Sequence, residues 1–197
     1  MLKENHKVAI YLEGHFSTDY GKMGIGVLRY LSNQIVAVID SKNNGKNTNE
    51  FYSIERSVPI VSTLDAAVLN GAEVLILGIA PSGGKIPEAW FKVIESAISK
   101  NLSIINGLHD TLLSKYKNSL RNNQWIWDVR VPQFVPKIAS GKAAKLKNKR
   151  ILCVGTDMAV GKMTTSLEMH KWAIEKKINS SFIATGQIGI TITGEGI

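Results

Sequence analysis

With 197 residues, 44% of them apolar, the chain can bury a core in one large domain or two small ones. Its single cysteine excludes an internal disulfide, and no run approaches the ~20 apolar residues of a membrane span, so a cytoplasmic protein with no membrane association is expected. The net charge of +8 suits an anionic small-molecule partner.

The N-terminal stretch MLKENHKVAIYLEGHF has too short an apolar run for a signal peptide, and KVAIYLEG (7–14) reads as a first strand. After the polar loop HFSTDYGK, MGIGVLRYLS (23–32) has helical spacing, weakened by Gly24 and Gly26. QIVAVIDS (34–41) is a nearly continuous apolar run, as in a buried parallel strand, and ends at Asp40. Residues 42–57 are rich in Asn and Gly and read as a surface loop.

The alternation continues. SVPIV is a short strand, and STLDAAVLN (62–70) opens a helix with Ser62 and Asp65 in a capping-box-like start. AEVLILGIA (72–80) is the clearest buried strand, PSGGK a turn, and IPEAWFKVIESAISKN (86–101) an amphipathic helix with Pro87 in its first turn. LSIINGLH is strand then loop, DTLLSKYKNSL a helix and QWIWDVRVP (124–132) a strand. Repeated β–α–β units imply right-handed crossovers and a parallel sheet, an α/β fold.

The segment 133–149 breaks the pattern. Lys137, Lys142, Lys145, Lys147 and Lys149 crowd there with Arg150, and no aromatic residue interleaves with them. The segment reads as a solvated basic linker between a Rossmann-like domain (1–132) and a second unit (150–197), and a nucleic-acid partner is not expected. The second unit starts β-loop-α-β: RILCVG a strand containing Cys153, then a loop, then the helix KMTTSLEMHKWAIEKK, then the strand SSFIATG. So short a unit buries too little to stand alone, so it must pack on the first domain, pair with another chain or continue into more sequence.

The loop is CVGTDMAVGKMTT. The P-loop pattern is G-x-x-x-x-G-K-[ST]; here five residues separate Gly155 from Gly161, and Lys162 is followed by Met163, Thr164 and Thr165. Between an apolar strand and a helix, amides around Ala159, Val160, Gly161 and Lys162 can converge on phosphate oxygens. In nucleotide hydrolases the Ser or Thr after the lysine binds Mg²⁺, which Met163 cannot do. Thr164 lies about 100° further round the helix and substitutes only if the loop is distorted. The loop therefore suits a phosphorylated ligand that is held rather than hydrolysed. Asp157 either orients a nucleophile or metal-bound water, or braces the turn.

Other candidates lie at strand ends, where ligand sites of open α/β sheets sit. His109 follows NGL and reads as a general base, or as a helix cap or core histidine. Gly83 and Gly84 allow close backbone approach to a substrate, or simply make a tight turn. Arg130 reads as a carboxylate clamp, or as the partner of Asp128. His15 and Asp19 occupy the same edge or are ordinary loop polarity. Asp40 ends the second strand where dinucleotide folds put a ribose-binding acid, but the G-x-G-x-x-G spacing is absent. The scattered histidines and single cysteine form no metal site. Trp125 and Trp127 alternate on one strand and read as core or interface.

GTDMAVGK is similar to the loop of dethiobiotin synthetase, an ATP-using P-loop enzyme. The fuller resemblance lies elsewhere. GTDMAVGKMTTSLEM and TGQIGI, with EGHFSTDYGKMGIGVLRY, VIDS, GIAPSGGKIPEAW, NGLHD and WDVR, closely resemble the D-glutamate N-acetyltransferase family, long known only as a domain of unknown function. The resemblance implies a Rossmann-like domain followed by a P-loop domain, and acetyl transfer from acetyl-CoA to the amine of D-glutamate or a similar acidic amino acid. The family's chains run on past TGQIGI, so this chain reads as a piece of a longer protein. The expected cofactor-binding set is Gly155, Thr156, Ala159, Val160, Gly161, Lys162, Met163 and Thr164; the catalytic pair His109 and Asp157; the substrate-binding set Gly83, Gly84 and Arg130. Acetyl-CoA is the expected co-substrate and a homo-oligomer the expected assembly. An ATP-dependent ligase or kinase using ATP or GTP with Mg²⁺, and a non-catalytic nucleotide- or CoA-binding module, are the alternatives.

Overall fold

A computed structural model describes residues 2–52, 54–132, 140–157 and 160–196. Six short strands carry the fold: β1 (Val8–Tyr11), β2 (Ile35–Ile39), β3 (Ile60–Val61), β4 (Val74–Leu77), β5 (Ser103–Asn106) and β6 (Ile126–Asp128). They form one sheet in the order β3-β2-β1-β4-β5-β6, every pair parallel. VAIY, IVAVI and VLIL are buried at every position, as expected of strands covered on both faces. This is the strand order of a Rossmann-like fold, and the α/β reading of the sequence holds.

Six helices accompany the sheet: α1 (Lys22–Tyr30), α2 (Leu64–Leu69), α3 (Phe91–Ser99), α4 (Leu113–Tyr116), α5 (Lys162–Glu175) and α6 (Gln187–Thr193). Thr63, not Ser62, caps α2, its hydroxyl accepting the Ala66 N–H at 3.2 Å. The connection β1–α1–β2 moves left from the sheet centre and β4–α3–β5 moves right. Right-handed crossovers therefore put α1 and α3 on opposite faces, and α2 packs beside α3.

The glycines that weaken α1 as an isolated helix are what let it dock. The Gly24 N–H donates to Gly78 O at 2.8 Å, and a Cβ on Gly24 would stand 2.7 Å from both Leu12 methyl carbons. Two residues on, and so on the opposite side of the helix, a Cβ on Gly26 would lie 2.9 Å from Ile188 Cγ2 and 3.6 Å from Met163 Cε. The second unit therefore packs on the first through α1. Ile188, Ile190 and Ile192 of α6 lie against the main core.

The two strands expected in the second unit, RILCVG and SSFIATG, are not formed as strands. Residues 150–155 and 181–183 are irregular, and one isolated parallel bridge joins Ala184 to Gly196. A strand needs a neighbour for its N–H and C=O groups. Among the described residues these segments make no strand pairing beyond that one bridge, and Ile151, Leu152 and Val154 are 75%, 82% and 78% exposed. Cys153, expected inside that first strand, is half-buried in an irregular segment. Of the linker, 133–139 lies outside the described residues; 140–149 is exposed and carries one short helical turn, Lys142–Lys145. Trp125 and Trp127 are partly buried against the core. No helix of the described residues is long and apolar enough to cross a membrane.

Two outcomes follow from this packing. A Cβ on Gly78 would stand 2.6 Å from Ile10 Cγ2 and 2.9 Å from the Gly24 Cα, which cannot move aside cheaply. Gly78→Ala is expected to cost about 1–3 kcal/mol in urea unfolding. Gly186→Ala, with open space and an ordinary φ of −154°, is expected within about 0.5 kcal/mol of the parent.

Tyr11 is pushed from 10.0 up to about 12, chiefly by burial and then by Glu13. Tyr116 is pushed to about 12 as well, chiefly by burial and then by its hydrogen bond to Glu95. Above pH 10 the unfolded chain loses these protons while the native state keeps them. Their stabilisation is therefore complete below pH 10 and is lost as pH rises to about 12. The urea midpoint is expected to fall over that window, and less steeply in Tyr11→Phe.

Candidate functional site

The glycine loop runs into α5 as the sequence pattern requires. Gly161 takes a left-handed φ of 94° just before the helix, and Thr165 N–H donates to Gly161 O at 2.9 Å, closing the first turn. No side chain caps α5, and among the described residues the N–H groups of Lys162, Met163 and Thr164 find no acceptor. A helix start of this kind presents donors and the positive end of a dipole to an anion.

Lys162 folds back across the loop, its ammonium bonded to the Asp157 carbonyl oxygen. Its stem passes 3.2 Å from where a Gly155 Cβ would be, and that Cβ would also strike Val160 Cγ2 at 2.8 Å. Gly155 is therefore needed for the lysine to cross. Thr156, Asp157 and Val160 are exposed along the loop; Ala159 lies outside the described residues.

The two side chains after the lysine turn elsewhere. Met163 reaches Gly26 of α1. The Thr164 side chain lies beside Tyr30, whose O–H donates to Glu168 Oε1 at 2.8 Å. The Tyr30 pKa is raised by burial first and by Glu168 second, with Thr164 and Arg29 opposing. The hydroxyl that might have replaced the missing magnesium ligand thus lies on the α1 side of the helix.

A second group of candidates gathers at the carboxyl ends of β4, β5 and β6. Gly83 and Gly84 have φ of 76° and 65° in the turn after β4. The His109 N–H donates to Gly84 O at 2.8 Å, and a Cβ on Gly84 would stand 2.3 Å from His109 Cδ2. Gly84 is glycine for its backbone angle and for the imidazole against it. His109 itself is exposed, neither a core residue nor a cap. The cap of α4 is Asp128, whose buried carboxylate accepts the N–H groups of Leu112 and Leu113 at 3.0 and 2.9 Å.

Asn106, fully buried, ties this loop down. Its amide donates to Asp110 O at 2.7 Å and Asp128 Oδ1 at 2.8 Å, and its oxygen accepts Leu108 N–H at 3.0 Å. Asp110 Oδ2 accepts Ile86 N–H at 2.7 Å, linking the histidine loop to the glycine turn. Arg130 does not pair with Asp128: its Nε donates to Gly107 O at 2.7 Å.

The residues after β1 and β2 are structural. Asp40 is fully buried and accepts Gly14 N–H at 2.9 Å, Asn43 Nδ2 at 2.6 Å and Lys42 N–H at 3.3 Å, so its oxygens are already committed. His15 bonds Thr18 Oγ1 at 3.0 Å, and Asp19 pairs with Lys22 at 3.2 Å on the surface. Where strand order reverses between β1 and β4, backbone bonds close the crevice: Gly24 N–H to Gly78 O, and Ala80 N–H to Tyr20 O, both 2.8 Å. The usual dinucleotide crevice is filled by the chain itself.

The two candidate groups share one end of the molecule. The start of α1 lies at the strand carboxyl ends, since Gly24 bonds Gly78 just after β4. Met163 meets Gly26 and Glu168 meets Tyr30, so α5 runs alongside α1 in the same direction. Gln187 meets Gly107 just after β5, while Thr191 to Gly194 line a cavity of about 250 Å³ with Leu31 to Asn33, past the far end of α1. The glycine loop therefore opens toward the same end as His109, Gly84 and Arg130. Sequence reasoning singled out neither Asn106, Asp110 and Tyr30 nor Gln187; the first two stood in the NGLHD block as polar residues at a strand end.

Residues 41–132 match the domain of unknown function DUF1611_N, described as a Rossmann-like domain, and residues 137–197 match the DUF1611 C-terminal P-loop domain. A protein of Pseudoalteromonas sp. named D-glutamate N-acetyltransferase is 42% identical over 139 residues, 69% of this chain and 41% of the relative. One of the same name from Tritonibacter scottomollicae is 41% identical over 138 residues, 68% of this chain and 41% of the relative. The crystal structure of a DUF1611 family protein from Anabaena variabilis superposes with a TM-score of 0.92 at 42% identity, over 98% of this chain and 57% of that one. This chain thus spans well under two thirds of each of these relatives. With both domain types present in order, the chain belongs to the DUF1611 family.

Proposed function

We propose that the chain binds acetyl-CoA at the glycine loop and takes part in moving its acetyl group to the amine of D-glutamate or a similar acidic amino acid. The observation that carries the activity is the 42% identity to a relative named for it. The geometry supports it: an uncapped helix start with Lys162 opens toward the same end as an exposed histidine, a glycine turn and an arginine.

The roles follow from the chemistry of the groups. The α5 amides and the Lys162 ammonium would hold phosphates of the coenzyme, the lysine exchanging the Asp157 carbonyl for an anion. The coenzyme supplies an activated thioester. His109, its N–H bonded to Gly84 O and its neighbours Leu108 and Asp110 bonded by Asn106, would take the proton that the acceptor ammonium must lose. The left-handed glycines leave the backbone open to close approach, and Arg130 offers its guanidinium to a carboxylate. Met163 and Thr164 face α1 and leave the loop without a metal hydroxyl, which favours a bound ligand over a hydrolysed one.

Binding of CoA by calorimetry is expected to be unchanged by EDTA and to weaken at least about tenfold in Lys162→Ala. Equal binding by that variant would count against the loop, and magnesium-dependent ATP turnover would point to a ligase instead. In a thiol-release assay with acetyl-CoA and a panel of D- and L-amino acids, release is expected with D-glutamate. His109→Asn is expected to lower kcat about a hundredfold to ten-thousandfold while CoA affinity holds. CoA binding with no acceptor-dependent release would leave only a binding module.

A further inference from the structure

Gln187 belongs to the second unit, yet its side chain reaches the first. Its Cγ stands 3.3 Å from where a Cβ of Gly107 would lie, at the carboxyl end of β5. The carbonyl of the same Gly107 accepts the Arg130 Nε–H at 2.7 Å. The Gln187 stem and the Arg130 guanidinium therefore meet at a residue that has no side chain of its own. The position has room for none, since the Met23 methyl also lies 2.7 Å from that Cβ point. The Gln187 amide makes no hydrogen bond among the described residues, and the residue is only half-buried. A side chain that served packing alone would need no amide, because an unpaired donor and acceptor gain nothing against apolar neighbours.

We infer that Gln187 and Arg130 form a carboxylate-recognition subsite over Gly107, with Gln187 the substrate-binding residue that the P-loop unit lends to the Rossmann-like sheet. Arg130 supplies the charge, anchored by its Nε on a backbone carbonyl. The Gln187 amide donates N–H to the carboxylate and offers its oxygen to the acceptor's ammonium. His109 lies two residues beyond Gly107 on the same loop, its ring against Gly84. This role rests on the acetyltransferase reading for its substrate, an acidic amino acid, but its binding step can be read alone.

The test is calorimetric titration of the 197-residue chain with D-glutamate and with glutarate, which lacks the amine. Gln187→Ala and the longer, packing-preserving Gln187→Leu are expected to bind both about tenfold to a hundredfold more weakly, the loss of a hydrogen bond to a charged group. Gln187→Glu is expected to abolish binding of both by like-charge repulsion, with CoA affinity as in the parent. Parent-like binding of D-glutamate by the Leu or Glu variant overturns the subsite, as does failure of the parent chain to bind either acid. If the parent binds and the variants do not, but no acetyl is transferred, the subsite stands and the transferase reading falls. If acetyl is transferred to D-glutamate with the same KM in the variants, the reverse holds.

Discussion

Close backbone approach on two opposite faces of α1 governs the rest of the molecule. Gly24 brings its N–H onto Gly78 O and its Cα against Leu12, which seats the helix on the sheet. Gly26 admits Ile188 and Met163, which seat the second unit on the helix. Each glycine costs helix propensity of about 1 kcal/mol relative to alanine. That loss is offset by contacts that no side chain with a Cβ would permit. Because α1 starts at the carboxyl ends of the strands, everything docked beside it inherits the same orientation. The glycine loop thus faces the strand ends that carry His109 and Arg130.

The same constraint accounts for the departure from the familiar phosphate loop. In a nucleotide hydrolase the residue after the lysine points at a metal. Here that residue is a methionine, and it is a wedge against α1. The next residue, Thr164, is drawn to Tyr30, itself held by Glu168. Two side chains that might have served a metal serve instead the joint between the units. What remains for a ligand is backbone and one ammonium, which can grip phosphate without polarising it for transfer.

At the opposite wall of the site the logic is rigidity beneath an exposed group. Asn106 and Asp128 are buried and spend their oxygens and amide on loop backbone. His109 stands above them in solvent with its ring on Gly84. A buried polar pair that is fully bonded holds a loop far better than packing alone, because each bond it loses leaves an unpaired group in a low dielectric. The carboxylate at the end of β2 is used in the same way, so Asp40 braces a turn where a dinucleotide fold would present it to a ribose.

The sequence by itself determined the α/β class, the parallel sheet and the position of the glycine loop, because buried strands and glycine turns leave local marks that need no partner to be read. It did not reveal that RILCVG and SSFIATG do not form strands, since a strand is completed by neighbours and not by its own composition. Nor did it show that Met163 and Gln187 point at α1 and Gly107, across the domain boundary and far off in sequence. The direction of a side chain across a docked interface depends on which backbones approach closely. That was decided only when the two glycine-bearing faces of α1 each met one unit.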